Sequence, residues 1–291
     1  MFESLLSFLL ASTLHLAPAQ ADIHAQSFDD KALLSVAEIP AQHEEYVAPA
    51  SMSASAVLSI DLDSKITLYE KNSTMKLPIA SLTKLMTAYI ILEEEDPNTI
   101  VTVSPNAANT IGSSMGLYSN EQMTVRNLLY GLLIESGNDA AVALAEFNAG
   151  SESAFVEKMN SKAADLGMYN TNYVNTTGLD SSVAYSSARD LALLSAYLVT
   201  NPTLRGIVSL KAVDVSSTDN LTHHLTNTNI LLGEYGIIGL KTGKTPAAGE
   251  CLITLAMNPS GHEIITVILG SGNRFSDTRT LIDWIYRAYL W

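Results

Sequence analysis

The order of its periodic segments constrains this chain most: strand-like runs stand near both ends, and helical periodicity fills the stretch between them. Ala56-Val57-Leu58-Ser59-Ile60-Asp61 and Lys65-Ile66-Thr67-Leu68-Tyr69 flank an Asp/Ser turn and predict a hairpin. Strand signals return at 235–240, 251–257 and 263–269, the last two joined across Asn258-Pro259-Ser260-Gly261. Between them a helix is expected from about 81 to 94, stopped by Asp96-Pro97, and 3.6-residue periodicity runs over 125–149, 151–166 and 187–198. Residues 279–291 predict a closing amphipathic helix. Strands at both ends around a helical insert imply that the terminal segments share one sheet. The expected class is α/β (α+β), a central antiparallel sheet flanked by helices with an inserted helical lobe. A chain of 291 residues, 47% apolar, can bury one substantial core built from two lobes.

Residues 5–17 form an apolar run of signal-peptide length, and Ala19-Gln20-Ala21 offers small residues at the spacing a signal peptidase accepts. The preceding Met1-Phe2-Glu3-Ser4 lacks the usual Lys or Arg. The expected organisation is a signal peptide or N-terminal anchor over 1–21, an acidic, Ala/Pro-rich linker over 22–50 and one folded domain over 51–291. Export to the periplasm or extracytoplasmic envelope follows, with membrane association only through an uncleaved N-terminal segment. A net charge of −14 opposes binding to nucleic acid or an anionic lipid surface, since both need clustered Lys and Arg. One cysteine, Cys251, excludes an internal disulfide and reads as a small buried hydrophobe. His15, His24 and His43 show no metal-ligand spacing, and His223-His224 reads as a polar loop pair, so no metal or cofactor is expected. Glu93-Glu94-Glu95-Asp96 ends a helix and reads as a solvated surface.

Three short strings carry the chemistry: Ser81-Leu82-Thr83-Lys84, Ser136-Gly137-Asn138 and Lys241-Thr242-Gly243. Residues three apart share a helix face, so Lys84 can reach Ser81 if that serine opens the helix after Pro78-Ile79-Ala80. A lysine amine accepts the serine proton only when neutral, and burial beside a second cation such as Lys241 would lower its pKa. The helix N-terminus adds backbone N–H groups where an oxyanion would develop. Ser136 would act as a proton relay and Asn138 as a donor to a substrate amide from a loop between two apolar helices. Lys241 and Thr242 would bind a carboxylate on a strand, and Gly243 would let substrate backbone approach the strand edge.

Each tripeptide alone is weak, because Ser73-Thr74-Met75-Lys76, Ser104-Pro105-Asn106 and Ser271-Gly272-Asn273 repeat the patterns elsewhere. A phosphate loop ending at Gly243-Lys244-Thr245 fails on register, since Ile238 stands where its first glycine belongs. Gly112-Ser113-Ser114-Met115-Gly116 fits a G-x-S-x-G elbow but lacks a buried strand before it. A catalytically retired binding module is disfavoured because every motif position is chemically intact.

Order and context of the three strings match the signature of penicillin-binding proteins and class A β-lactamases. With PIASLTKLMTA at 78–88, LLYGLLIESGNDAAVALAE at 128–146, VNTTGLD at 174–180, YSSARDLA at 185–192 and GLKTGKTPAAGECL at 239–252, the chain resembles the D-alanyl-D-alanine carboxypeptidase family of low-molecular-mass penicillin-binding proteins. The resemblance covers about 54–291 and implies a β-lactamase/transpeptidase-like fold. It implies that Ser81 is the acylated nucleophile, Lys84 its base, Ser136 and Asn138 the second-lobe members of the site, and Lys241, Thr242, Gly243 and Lys244 the substrate-binding strand. Backbone N–H groups of Ser81 and Lys244 would form the oxyanion hole. Arg274 either assists carboxylate binding or makes a surface ion pair. Peptidoglycan stem peptide is the implied substrate, and β-lactams the implied covalent inhibitors. A D,D-endopeptidase is the alternative; a β-lactamase is weaker, because 175–180 lacks a deacylating glutamate and Glu152 and Glu157 fall in a helical pattern. Asn120 stands where the family usually has glycine, and the chain stops at Trp291 without the further β-rich domain many members carry, so a C-terminal membrane attachment is not expected.

Overall fold

The computed structural model describes residues 39–43, 45, 47, 49 and 51–291. The expected signal or anchor segment, most of the expected linker, His15 and His24 lie outside the described residues. Eleven strands are present among them: β1 (Ala41–Gln42), β2 (Ala56–Asp61), β3 (Thr67–Lys71), β4 (Ile100–Thr102), β5 (Gln122–Thr124), β6 (Ala212–Ser216), β7 (Thr222–Thr226), β8 (Ile237–Thr245), β9 (Gly249–Met257), β10 (Glu263–Ser271) and β11 (Tyr289–Leu290). The helices are α1 (Lys84–Glu94), α2 (Pro105–Ala108), α3 (Val125–Tyr130), α4 (Asn138–Ala149), α5 (Glu152–Asp165), α6 (Ala188–Leu198), α7 (Pro202–Val208) and α8 (Arg274–Ala288).

The central sheet has the order β3-β2-β10-β9-β8 with every pair antiparallel. Its closure confirms the reading of the two chain ends: Ala56 pairs with Leu269 and Asp61 with Ile264. Side chains alternate across a strand, and both faces of this sheet are covered. In β10, Ile265, Val267 and Leu269 enter the large core shared with α1 and α6, whereas Ile264 and Ile268 pack with Leu281 and Ile285 of α8. Each such aliphatic side chain contributes about 1.5–3 kcal/mol when fully buried.

The helical lobe, from α2 to α5, follows the expected insert but is not continuous over 125–149. After α3 the chain takes a π turn, Gly131–Glu135, and reverses at Ser136 (φ 66°) before α4 begins. Three other expectations shift. Tyr235 belongs to a 3₁₀ turn with φ 49°, so β8 starts at Ile237 and runs on through Thr245. The closing helix begins at Arg274, where the Asn273 side chain accepts from Ser276 N–H at 3.0 Å, and it ends at Ala288. His223 and His224 lie on β7, not in a loop. The hairpins β4–β5 and β6–β7 and the short α7 carry no strong periodicity and were not anticipated. Inside the stretch read as a linker, Ala41 pairs with Leu290, and Trp284 Nε1 donates to the Val47 carbonyl at 2.8 Å.

The acidic run is not simply solvated. Glu93 and Glu94 accept from Lys162 at 2.6 Å and Lys158 at 2.7 Å, tying α1 to α5. Cys251 is fully buried, as expected, and burial pushes its thiol up to about 11.

Candidate active site

Ser81 lies in a 3₁₀ turn, Ala80–Thr83, that leads directly into α1, so Lys84 one turn on returns to the same face. Lys84 is wholly buried, and its amine nitrogen has three neighbours: Ser81 Oγ at 3.0 Å, Asn138 Oδ1 at 2.7 Å and the Thr177 carbonyl at 2.6 Å. The last two can only accept, so a neutral amine spends its two N–H groups on them and turns its lone pair toward the serine hydroxyl. Burial, reinforced by the charge of Lys241, drives the Lys84 pKa well below the usual lysine value, against an opposing pull from Asp139.

Two glycines make the turn possible. Gly178 (φ 83°) lies against Ala80, and a β-carbon on Gly243 would meet Ile79 O at 2.9 Å and Ser81 N at 3.1 Å. Gly243 therefore makes room for the turn that carries Ser81, a neighbour its sequence context did not suggest. Ala80 itself takes φ 49°, a costly conformation that these contacts hold in place. The loop carrying Gly178 is folded by Asn175, whose Oδ1 accepts from Gly178 N–H at 2.7 Å and Thr177 N–H at 3.2 Å. That turn presents the Thr177 carbonyl to Lys84. Glu152, at the start of α5, accepts from the Thr176 N–H at 3.0 Å and hydroxyl at 2.7 Å, bracing the same loop.

Ser136 is 4% exposed in a left-handed conformation, a position such strain commonly marks. Asn138 opens α4; its Nδ2 donates to the Ile111 carbonyl at 2.6 Å while Oδ1 faces Lys84. Thr242 shares a hydroxyl hydrogen bond of 2.6 Å with Thr228. Lys241 is buried and held down to about 7 by desolvation and the nearby Arg274, with Glu135 opposing. Lys244 is exposed and pairs with Glu250 at 2.8 Å. Arg274 donates through Nη1 to the Gly243 carbonyl at 2.7 Å, and its buried Nε has no hydrogen-bond partner. It is therefore not a surface ion pair: its guanidinium is tied to the main chain of β8. Three contributors went unrecognised in sequence: the Thr177 carbonyl, Asp139 and Asn175. Only Asn175 left a signal, an Asn two residues before the turn in Asn175-Thr176-Thr177-Gly178.

The elbow candidate is resolved by geometry. Ser114 Oγ donates to Asp139 at 2.5 Å, and the element leading into it is the short helix α2, where an elbow needs a strand. As for metal ligands, Asp61, Asp63 and His262 bring three ligating atoms within 4.8 Å of one another, far along the sheet. There His262 hydrogen-bonds Asp61 at 3.2 Å, joining the β2–β3 and β9–β10 turns.

A five-strand antiparallel sheet with a helical lobe, and a Ser-x-x-Lys pair at their junction facing a Lys-Thr-Gly strand, define a serine acyl-transfer fold of the penicillin-binding-protein class. Known structures agree. The DD-transpeptidase of Streptomyces K15 superposes with a TM-score of 0.77 at 30% identity, covering 83% of this chain and 100% of that one. A penicillin-binding protein homologue from Mycobacterium tuberculosis gives 0.78 at 30% identity, covering 85% and 96%.

The chain belongs to the D-alanyl-D-alanine carboxypeptidase family, whose model matches residues 43–273. It is 38% identical over 244 residues to the D-alanyl-D-alanine carboxypeptidase DacF of Bacillus subtilis, covering 81% of this chain and 62% of that protein. It is 34% identical to DacC of Escherichia coli, covering 84% and 64%, and 32% identical to the carboxypeptidase of Streptomyces K15, covering 87% and 94%. The chain thus spans somewhat under two thirds of the B. subtilis and E. coli relatives.

Proposed function

We propose that this protein is a serine-type D,D-carboxypeptidase that removes the terminal D-alanine of peptidoglycan stem pentapeptides outside the cytoplasmic membrane. The observation that carries the reading is the buried Lys84 amine 3.0 Å from Ser81 Oγ between two acceptor-only neighbours, a geometry in which the neutral amine has its lone pair free for Ser81. In this mechanism Lys84 takes the Ser81 proton as Oγ attacks the penultimate D-alanine carbonyl. Main-chain N–H groups of Ser81 and Lys244 hold the oxyanion. Ser136 relays the proton to the departing D-alanine nitrogen, the C–N bond breaks, and water then hydrolyses the ester and releases the tetrapeptide.

Carboxylate recognition falls to Lys241, Thr242 and Arg274. The Arg274 guanidinium supports this role by its place: it donates to the Gly243 carbonyl at 2.7 Å and its charge acts on Lys241, so positive charge gathers along β8. A β-lactam would acylate Ser81 in the same way, but its leaving amine stays tethered. Glu152, the nearest candidate for a deacylating carboxylate in sequence, is already engaged by Thr176, which supports a persistent acyl-enzyme over rapid turnover.

Intact-protein mass after brief exposure to a penicillin tests the reading. Wild type should gain one antibiotic mass and Ser81→Ala none. Absence of an adduct with the antibiotic intact would refute it, and absence with the antibiotic destroyed would move the assignment to β-lactamase.

A further inference from the structure

We propose that Asp139 is a positioning residue for the Ser81–Lys84 pair: its buried carboxylate locks the 111–117 loop, and that loop fixes which way the Asn138 amide faces. The inference rests on the acyl-transfer reading above. Asp139 is 1% exposed and has no ion pair among the described residues. Instead Oδ1 accepts from Met115 N–H at 3.1 Å and Ala140 N–H at 2.9 Å. Oδ2 accepts from Ser114 Oγ at 2.5 Å, Gly116 N–H at 3.0 Å and Leu117 N–H at 3.1 Å. Such a cradle of successive main-chain donors is an anion nest, and here the anion is part of the chain.

The loop held in this way contacts Asn138 twice. Its Ser113 carbonyl accepts the Asn138 main-chain N–H at 2.7 Å, and its Ile111 carbonyl accepts Nδ2 at 2.6 Å. With Nδ2 committed to Ile111, Oδ1 is the atom that meets Lys84. The opposite flip would set an amide donor against the lysine N–H groups and leave the Ile111 carbonyl facing another acceptor. Two glycines leave space for the arrangement. A β-carbon on Gly112 would sit 2.6 Å from Asn138 Nδ2, and one on Gly137 would sit 2.6 Å from Asp139 Oδ1.

Asp139 also acts on Lys84 through its charge. The groups facing Lys84 are the Ser81 hydroxyl on its own turn, Asn138 and Asp139 from α4, the Thr177 carbonyl from the 175–180 loop, and Lys241 from β8. Lys241 and burial favour the neutral amine, and Asp139 favours the ammonium. Removing the Asp139 charge must therefore move the Lys84 titration to lower pH, an effect that a purely structural carboxylate would not predict.

The test compares wild type, Asp139→Asn and Ser114→Ala. For Asp139→Asn the penicillin acylation constant should fall about tenfold or more, with the acidic limb of its pH profile at lower pH. For peptide substrate the loss should lie in kcat, with KM within about twofold, because Lys241 and Thr242 are untouched. Ser114→Ala removes one donor and no charge, so it should lose about two- to fivefold with the limb unmoved. A folded Asp139→Asn with wild-type acylation, or with the limb unmoved, overturns the proposal. If that variant fails to fold, wild-type acylation by Ser114→Ala overturns it. Lysine side-chain NMR titration of Lys84 separates the two readings. Should wild type never acylate, the functional reading fails, whereas an unchanged Lys84 midpoint in Asp139→Asn defeats the present inference alone.

Discussion

A β-carbon placed on Gly178 would sit 1.9 Å from the carbonyl oxygen of Ala80. The loop that offers its Thr177 carbonyl to Lys84 is thereby pressed against the turn that carries Ser81, and neither backbone can yield without moving the other. Gly178→Ala combines this clash with a left-handed φ of 83°. It should destabilise the fold by about 3 kcal/mol or more and slow acylation at Ser81. Urea unfolding with a parallel penicillin-binding assay checks both; a change below about 0.5 kcal/mol would contradict the packing described.

Asn138→Asp places a carboxylate 2.7 Å from the Lys84 amine, where an amide oxygen now lies. The new charge favours the ammonium, so Lys84 keeps its proton to higher pH and the neutral base becomes scarce at neutral pH. Acylation at pH 7 should fall on the order of 10²-fold and recover in part as pH rises. A stopped-flow pH series would reveal the shifted limb, and a flat profile at wild-type rate would exclude Lys84 as base.

Lys241 links stability to pH. Its folded pKa of about 7 lies below the unfolded value of about 10.4, so between these limits the unfolded chain binds more protons. Unfolding free energy should therefore rise with pH across this window, by at most about 1.4 kcal/mol per unit from this group, and the loss is complete below about 7. In Lys241→Met this contribution should vanish, leaving the flatter profile of the remaining groups. Equilibrium unfolding from pH 6 to 10 decides the matter; identical slopes in both proteins would mean that Lys241 is not desolvated.

Glu121 and His223 form a buried pair at 2.6 Å, and His223 Nδ1 donates to the Met115 carbonyl at 3.0 Å. Glu121 also accepts from Tyr118 N–H at 2.9 Å. Truncation by Glu121→Ala strands a buried imidazole and should cost about 3 kcal/mol, whereas Glu121→Gln keeps an acceptor and should cost about half as much or less. Thermal melts of the two variants rank them directly. Equal melting temperatures would show that the pair contributes no more than its volume.

Much of this molecule was legible in local pattern. Residues three apart in Ser81-Leu82-Thr83-Lys84 share a face whatever surrounds them, and the apolar runs at 251–257 and 263–269 could satisfy their backbones only by pairing. The helices at 152–165 and 188–198 announced themselves by period, and the structure adds the serine caps Ser151 and Ser187. Such features depend on neighbours in sequence, and the resemblance carried by the three strings supplied the rest. What remained hidden depends on contacts between distant residues. Asp139 has no part of its own in the sequence reading, because its surroundings exist only once the 114–117 loop folds around it. The Thr177 carbonyl is a main-chain atom that no residue code can flag, and the closeness of Gly243 to Ile79 and Ser81 exists only once packing brings them together. Spacing along the chain determined which polar groups could share a face, and the packed interior decided their desolvation, their orientation and the space left between them, because burial and close approach are properties of the assembled core alone.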